Sequence, residues 1–219
     1  MNIDQVKSKK RVNDYGEVFT SSREVNNMLD LVKQETENID SRFLEPACGT
    51  GNFLVEILKR KLAIVQKRYS KNQIEYERYS ILALSSLYGV ELLPDNTTTC
   101  RDRLFGIFTH YYTNLFKKGK SDYLKSAEFI LSRNILCGDA RTLKTPNGKY
   151  PIVFSEWSFA KGSFLKRRDF VFEELVPKEN DDLFQSNLCS DEGKPAFIPM
   201  PIKEFPLTHF LNLNDNSAE

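Results

Sequence analysis

Hydrophobic and polar positions along the chain alternate between short apolar runs and longer stretches with apolar residues at helical spacing, which predicts strands and helices in alternation. Phe43 and Leu44 form the apolar end of a short buried strand, which Pro46 stops, and Gly49-Thr50-Gly51 then turns the backbone sharply. A helix follows over 53–70, and a second over Ile74 to Leu87. Leu87 to Glu91 reads as a second strand, ending in an acid and followed by a Pro94-initiated helix over 95–117. A further helix over 121–132 leads to a third short strand from Asn134 that ends in Gly138-Asp139, and Tyr150 to Phe154 reads as a fourth. This order predicts an α/β fold with a parallel sheet and flanking helices.

The ends of the chain are less regular. Residues 1–14 are polar and charged and read as a solvated arm or short helix. Tyr15-Gly16-Glu17-Val18-Phe19-Thr20 leads into a helix with Ser21 or Ser22 as N-cap and Glu24 in its first turn. Lys161 to Leu175 reads as a basic loop running into a strand, with Lys166-Arg167-Arg168 either a phosphate contact or a loop charge cluster. Residues 177–219 are rich in Pro, Asp, Asn and Lys and read as an irregular extension. The resulting division is an arm at 1–14, a ligand-binding domain at 15–176 and an extension at 177–219.

Composition narrows the function classes. The 31 Lys and Arg stand against 30 Asp and Glu for a net charge of +1, so no global field draws the chain to nucleic acid and any such binding rests on local patches or a partner. The 4 cysteines, Cys48, Cys100, Cys137 and Cys189, lack C-x-x-C spacing and the chain has 2 histidines, which suggests neither a zinc site nor a disulfide framework. No apolar leader opens the sequence and no apolar run reaches about 18 residues, so a soluble, cytoplasmic protein without membrane partner or metal is expected.

A Gly-rich strand-to-helix turn presents backbone amides and a helix N-terminus to a nucleotide-like ligand. The spacing here is neither the phosphate-cradling G-x-x-x-x-G-K-[ST] nor the dinucleotide G-x-G-x-x-G. Glu45 at the strand end would repel a phosphate and suit a ligand bearing an amine or sulfonium. The string Glu45-Pro46-Ala47-Cys48-Gly49-Thr50-Gly51 resembles motif I of class I S-adenosylmethionine (SAM) dependent methyltransferases, in the form typical of amino-methylating DNA methyltransferases of restriction-modification systems. Gly16 to Ser21 resembles their motif X, with Ser21 where the family has Pro; Gly89-Val90-Glu91 resembles motif II; Cys137-Gly138-Asp139-Ala140 resembles motif III. Glu91 follows Gly51 by about forty residues rather than about twenty, which implies an extra helix in the crossover.

The resemblance implies a Rossmann-like sheet, incomplete at its C-terminal side, with SAM held by Tyr15, Phe19 and Thr20, by Glu45 to Gly49 with Gly51, Asn52 and Phe53, by Glu91 and Leu92 on the ribose side, and by Asp139 and Ala140 at the adenine. It implies N6-adenine methylation of DNA, with sequence recognition from a separate recognition or restriction subunit. The fourth strand should end in [NDS]-P-P-[YFW], whose polar side chain and carbonyl accept hydrogens from the target amine while the aromatic stacks on the flipped base. Here Ser155-Glu156-Trp157-Ser158 stands in that place without Pro-Pro: Ser155 takes the polar position, Glu156 could accept a proton, and Trp157 or Phe159 could stack on a base. Two further readings stay open, a SAM-binding partner without catalysis and a methyltransferase acting on a small molecule or protein.

Overall fold

The computed structural model describes residues 7–117, 120–175 and 199–216. Helices α1 (Lys9–Tyr15), α2 (Ser22–Leu31) and α3 (Lys33–Glu37) precede β1 (Phe43–Glu45). Then come α4 (Asn52–Tyr69), α5 (Gln73–Ser85), β2 (Leu87–Glu91), α6 (Pro94–Leu115), α7 (Ser121–Asn134) and β3 (Ile135–Cys137). The three strands form one parallel sheet in the order β1-β2-β3, with Phe43 opposite Leu87 and Gly89 opposite Ile135. Parallel neighbours need a crossover of a dozen or more residues, and each crossover here is a pair of helices, α4–α5 and then α6–α7, which accounts for the long separation between Gly51 and Glu91.

Local signals set the helix starts. Ser21 caps α2 in a reciprocal box: the Glu24 amide donates to its Oγ at 3.4 Å, and the Ser21 amide donates to Glu24 Oε2 at 3.2 Å. Asn72 caps α5, and Pro94 opens α6 where a missing N–H costs nothing. The alternation of β2 sorts its residues between faces. Leu87 and Gly89 meet the helical layer, where a Cβ on Gly89 would come within 3.0 Å of Leu54 and of the Cys48 thiol. Tyr88 and Val90 point the other way, into a smaller cluster with Ile152, Phe154 and Phe172. A single large apolar core runs from Val25 through α4 to α7 and on to Leu213.

The segment expected as a fourth parallel strand departs from that reading. β4 spans Val153–Lys161 and folds back through Gly162-Ser163 onto β5 (Phe164–Val171), antiparallel, with Ser155 opposite Asp169 and Glu156 opposite Arg168. So short a connection can only join antiparallel strands. β6 (Lys203–Glu204) and β7 (Thr208–His209) both pair with β5. The extension expected to be irregular therefore contributes two short strands, and Phe205, Phe210 and Leu213 from it are buried. Its parts at 177–198 and 217–219 lie outside the described residues.

Candidate functional site

Parallel strands bring their C-terminal ends to one edge of the sheet, and in open α/β sheets that edge is where ligands sit. Here each strand runs into a carboxylate: Glu45 ends β1, Glu91 ends β2, and Asp139 stands two residues beyond β3. All three line one cavity of about 600 Å³. Its floor is the turn between β1 and α4. The Cys48 amide donates to Val90 O at 2.9 Å and the Gly51 amide to Cys48 O at 2.7 Å, which stitches the turn across to β2. Gly49 and Gly51 have φ of 54° and 86°, a region that side chains penalise. A Cβ on Gly49 would come within 3.2 Å of the Phe19 ring, and one on Gly51 within 2.6 Å of Cys100 Sγ.

Two residues pin this turn from outside. Arg103 on α6 donates to Thr50 O at 2.6 Å and to Asn52 Oδ1 at 2.8 Å, and burial lowers its affinity for the proton. Asn52 in turn donates to Thr20 O at 2.9 Å, which ties the N-terminal wall to the start of α4. The Cys48 thiol is pushed well above its ordinary range, first by its contact with the Cys100 thiol and then by burial, so it serves as apolar packing under the turn rather than as a nucleophile.

Glu91 is almost fully buried, and its carboxylate is already at work. Oε2 accepts from the Gly49 amide at 2.9 Å; Oε1 accepts from the Leu93 amide at 3.0 Å and from Asn96 Nδ2 at 3.3 Å. A carboxylate offers about four acceptor sites, and with three taken Glu91 has room for one ligand hydroxyl at Oε2. Asp139 accepts the Arg141 amide at Oδ1, 2.9 Å, and Glu45 accepts the Ala47 amide at Oε1, 3.2 Å. Asp14 and Glu17 add two more carboxylates, against Arg141 as the one basic lining residue among the described residues. An excess of negative charge in a partly dry cleft favours a cationic or neutral hydroxyl-bearing ligand and opposes a phosphate.

Of the residues expected to hold a cofactor, Tyr15, Phe19 and Thr20 form the N-terminal wall. Glu45 to Gly49, Asn52 and Phe53 form the floor, and Glu91, Leu92, Asp139 and Ala140 the far side. Gly51 is the exception: it lies behind the turn, packed on Cys100. Sequence reasoning passed over Asp14, Glu17, Asn96 and Arg141, which also line the cavity. Each lies within five residues of a residue already singled out, and Asn96 is the third residue of α6, at the end of that helix that meets the cavity.

The tetrapeptide expected to be catalytic is not part of this wall. Ser155 Oγ donates to Asp169 Oδ1 at 2.7 Å and accepts from Arg167 Nε at 3.0 Å. Glu156 pairs with Arg42 and Arg168, both at 2.6 Å. Trp157 is buried, donates Nε1–H to Asn134 Oδ1 at 3.0 Å and meets Phe129 edge-on. Ser158 sits opposite Lys166 in the hairpin. The basic run at 166–168 is likewise spoken for: Lys166 pairs with Glu204 at 2.8 Å, and buried Arg167 pairs with Asp169 at 2.7 Å while lying 3.9 Å from the Phe205 ring centre.

Comparison with known proteins finds no matching family model, no matching curated protein and no matching solved structure. Among the described residues no helix is long and apolar enough to cross a membrane, and no group of three or more His, Cys, Asp or Glu could hold a metal ion.

Proposed function

We propose that this chain binds SAM in the cavity at the strand ends and is the cofactor-binding part of a Rossmann-like DNA amino-methyltransferase. The observation that carries the reading is the ring of strand-end carboxylates, Glu45, Glu91 and Asp139, around the Gly49 to Gly51 turn. SAM carries a sulfonium, an amine, a ribose diol and an adenine amino group, and no phosphate. Glu45 lies on the side suited to the methionine amine, Glu91 to one ribose hydroxyl, and Asp139 Oδ2 to the adenine amine. Phe19 and Thr20 close the methionine side. SAM would supply the methyl group; the residues named here would bind and orient it.

A second reading, a SAM-binding partner without its own methyl transfer, is favoured by one specific observation: Ser155 to Ser158 are committed to the hairpin and do not line the cavity. Under the first reading the acceptor base is handled by groups outside that tetrapeptide, from this chain or from a recognition subunit. Calorimetric titration with SAM, followed by a tritiated-methyl assay on mixed-sequence duplex DNA, separates the two. Binding with incorporation, by the chain alone or with a recognition subunit added, supports the enzyme, and binding without incorporation under both conditions supports the partner. Gly49→Arg places a long side chain against Phe19, and Asp139→Ala removes the expected adenine acceptor; unchanged SAM affinity in both removes the site from consideration.

A further inference from the structure

Helix α1 is attached to the molecule in an unusual way. It buries no side chain, although Ser8 caps its start and Gly16, with φ of 67° and open space around it, ends it. What holds it is charge. Arg11 grips Asp95 with a two-pronged fork, Nη1 to Oδ2 at 2.7 Å and Nη2 to Oδ1 at 3.0 Å. Lys7 reaches the same carboxylate at 3.2 Å and Asn96 Oδ1 at 2.6 Å. The Arg11 fork draws the Asp95 carboxyl well below the usual carboxylate range, which marks the pairing as favourable. Arg11 Nε also lies 2.9 Å from Glu17.

The grip connects to the cavity through Asn96. Its Nδ2 donates to Glu17 Oε1 at 2.6 Å and to Glu91 Oε1 at 3.3 Å, while Glu91 holds the Gly49 amide. The C-terminal end of α1, Asp14 and Tyr15, and the strand-like segment after it form one side of the cavity mouth. Phe19 is a fixed point beyond α1, since its ring is buried against the Gly49 turn. Gly16 therefore lies between a buried anchor and a helix held mainly by the contacts of Lys7 and Arg11.

We propose that α1 is a gate over the cavity and that Lys7, Arg11 and Asp95 are its latch, positioning residues that set how fast ligand enters and leaves without touching it. The ligand identity rests on the reading of the site above; the latch does not. A helix this short is marginal alone in water, so releasing the latch melts α1 as well as opening the mouth. Exposed ion pairs are weak singly, and a forked pair backed by a second cation is stronger. A latch worth a factor of about ten in closed over open leaves about one molecule in eleven open, and its loss leaves about half open.

The test uses the full chain with Lys7→Gln and Arg11→Gln together, residues that do not line the cavity. Backbone amide exchange over residues 9–15 should quicken about fivefold. SAM association and dissociation rates, measured by surface plasmon resonance, should both rise about fivefold, with Kd moving less than about twofold and Tm falling by no more than about 4 °C. Raising salt from about 0.05 to about 0.5 M should quicken the unaltered protein and leave the variant as it is. Unchanged exchange and unchanged rates overturn the proposal. So does a fall in Tm with association unaltered, which would make the cluster a plain structural support. If the unaltered protein binds no SAM, the cofactor reading falls, and the exchange measurement still decides the latch: equal protection in both proteins overturns it.

Discussion

Gly51→Ala tests the turn on which the site is built, because two separable costs meet there. The residue holds φ of 86°, which for a residue with a Cβ costs about 1–2 kcal/mol. The added methyl would also stand 2.6 Å from Cys100 Sγ, in a fully buried position where overpacking costs about 1–3 kcal/mol. Alanine recovers about 0.4–1 kcal/mol by restricting the unfolded chain. The sum is a loss of about 2–4 kcal/mol, readable as a lowered urea midpoint at constant slope. Cys100→Ala should cost about 1 kcal/mol for the buried sulfur it removes. In the double variant the new methyl occupies the space the sulfur left, so only the backbone cost remains and the pair should be less destabilising than the sum by about 1–3 kcal/mol. Additivity within about 0.5 kcal/mol would show that the contact is absent. A Gly51→Ala protein as stable as the original would show that the left-handed turn itself is absent.

Other consequences follow from single groups. Glu91→Gln replaces one carboxylate oxygen by an NH2 group that must face either the Gly49 or the Leu93 amide, donor to donor, so stability should fall by about 1–3 kcal/mol and SAM affinity at least about tenfold, as read by calorimetry; full affinity would detach Glu91 from the site. Trp157→Phe removes the bond to Asn134 and should cost about 1–2 kcal/mol with SAM affinity unchanged; lost methyl transfer at unchanged stability would return the tetrapeptide to catalysis. Lys61 is fully buried, donates to Ile39 O, Ser41 O and Ser86 Oγ, and is pushed down by burial to about 7. Its folded value lies below the unfolded one, so between pH 7 and about 10 the unfolded chain holds the extra proton and this group makes stability rise with pH. Lys61→Met should abolish that rise; since raised thiols and tyrosines act alike in both proteins, the difference between their pH profiles isolates Lys61, and identical profiles would refute the shift.

Much of the parallel half was legible because its signals are local. The turn from Glu45 to Gly51, the capping box at Ser21 and the acidic ends of β2 and β3 are each written within a few residues, and the structure brings them together at one sheet edge. The hairpin was misread for an equally physical reason. Tyr150 to Phe154 reads locally as another strand of a repeating pattern, although two runs of alternating character flank Gly162-Ser163, the signature of an antiparallel return. The same alternation explains the basic run. Period-two spacing puts Lys166 and Arg168 on one face, where Glu204 and Glu156 meet them, and turns Arg167 inward onto Asp169. The latch at Asp95 joins residues more than eighty positions apart and leaves no local trace.

Near-zero net charge conceals a segregation that bears directly on what the chain can bind. At the strand ends the acids are lightly compensated: Glu45 accepts one backbone amide, and Asp139 accepts one and lies 3.7 Å from the exposed Arg141 side chain. Several cations lie elsewhere and are neutralised: Arg11 and Lys7 by Asp95, Arg42 and Arg168 by Glu156, Lys120 by buried Glu77. A polyanion meeting the cavity mouth therefore finds an excess of carboxylates, which repels a nucleic-acid backbone there. If the chain serves DNA methylation, the attraction for the duplex must come from a partner, and methyl incorporation should appear only when a recognition subunit is added. Incorporation by the isolated chain, undiminished as salt is raised, would contradict that electrostatic division of labour.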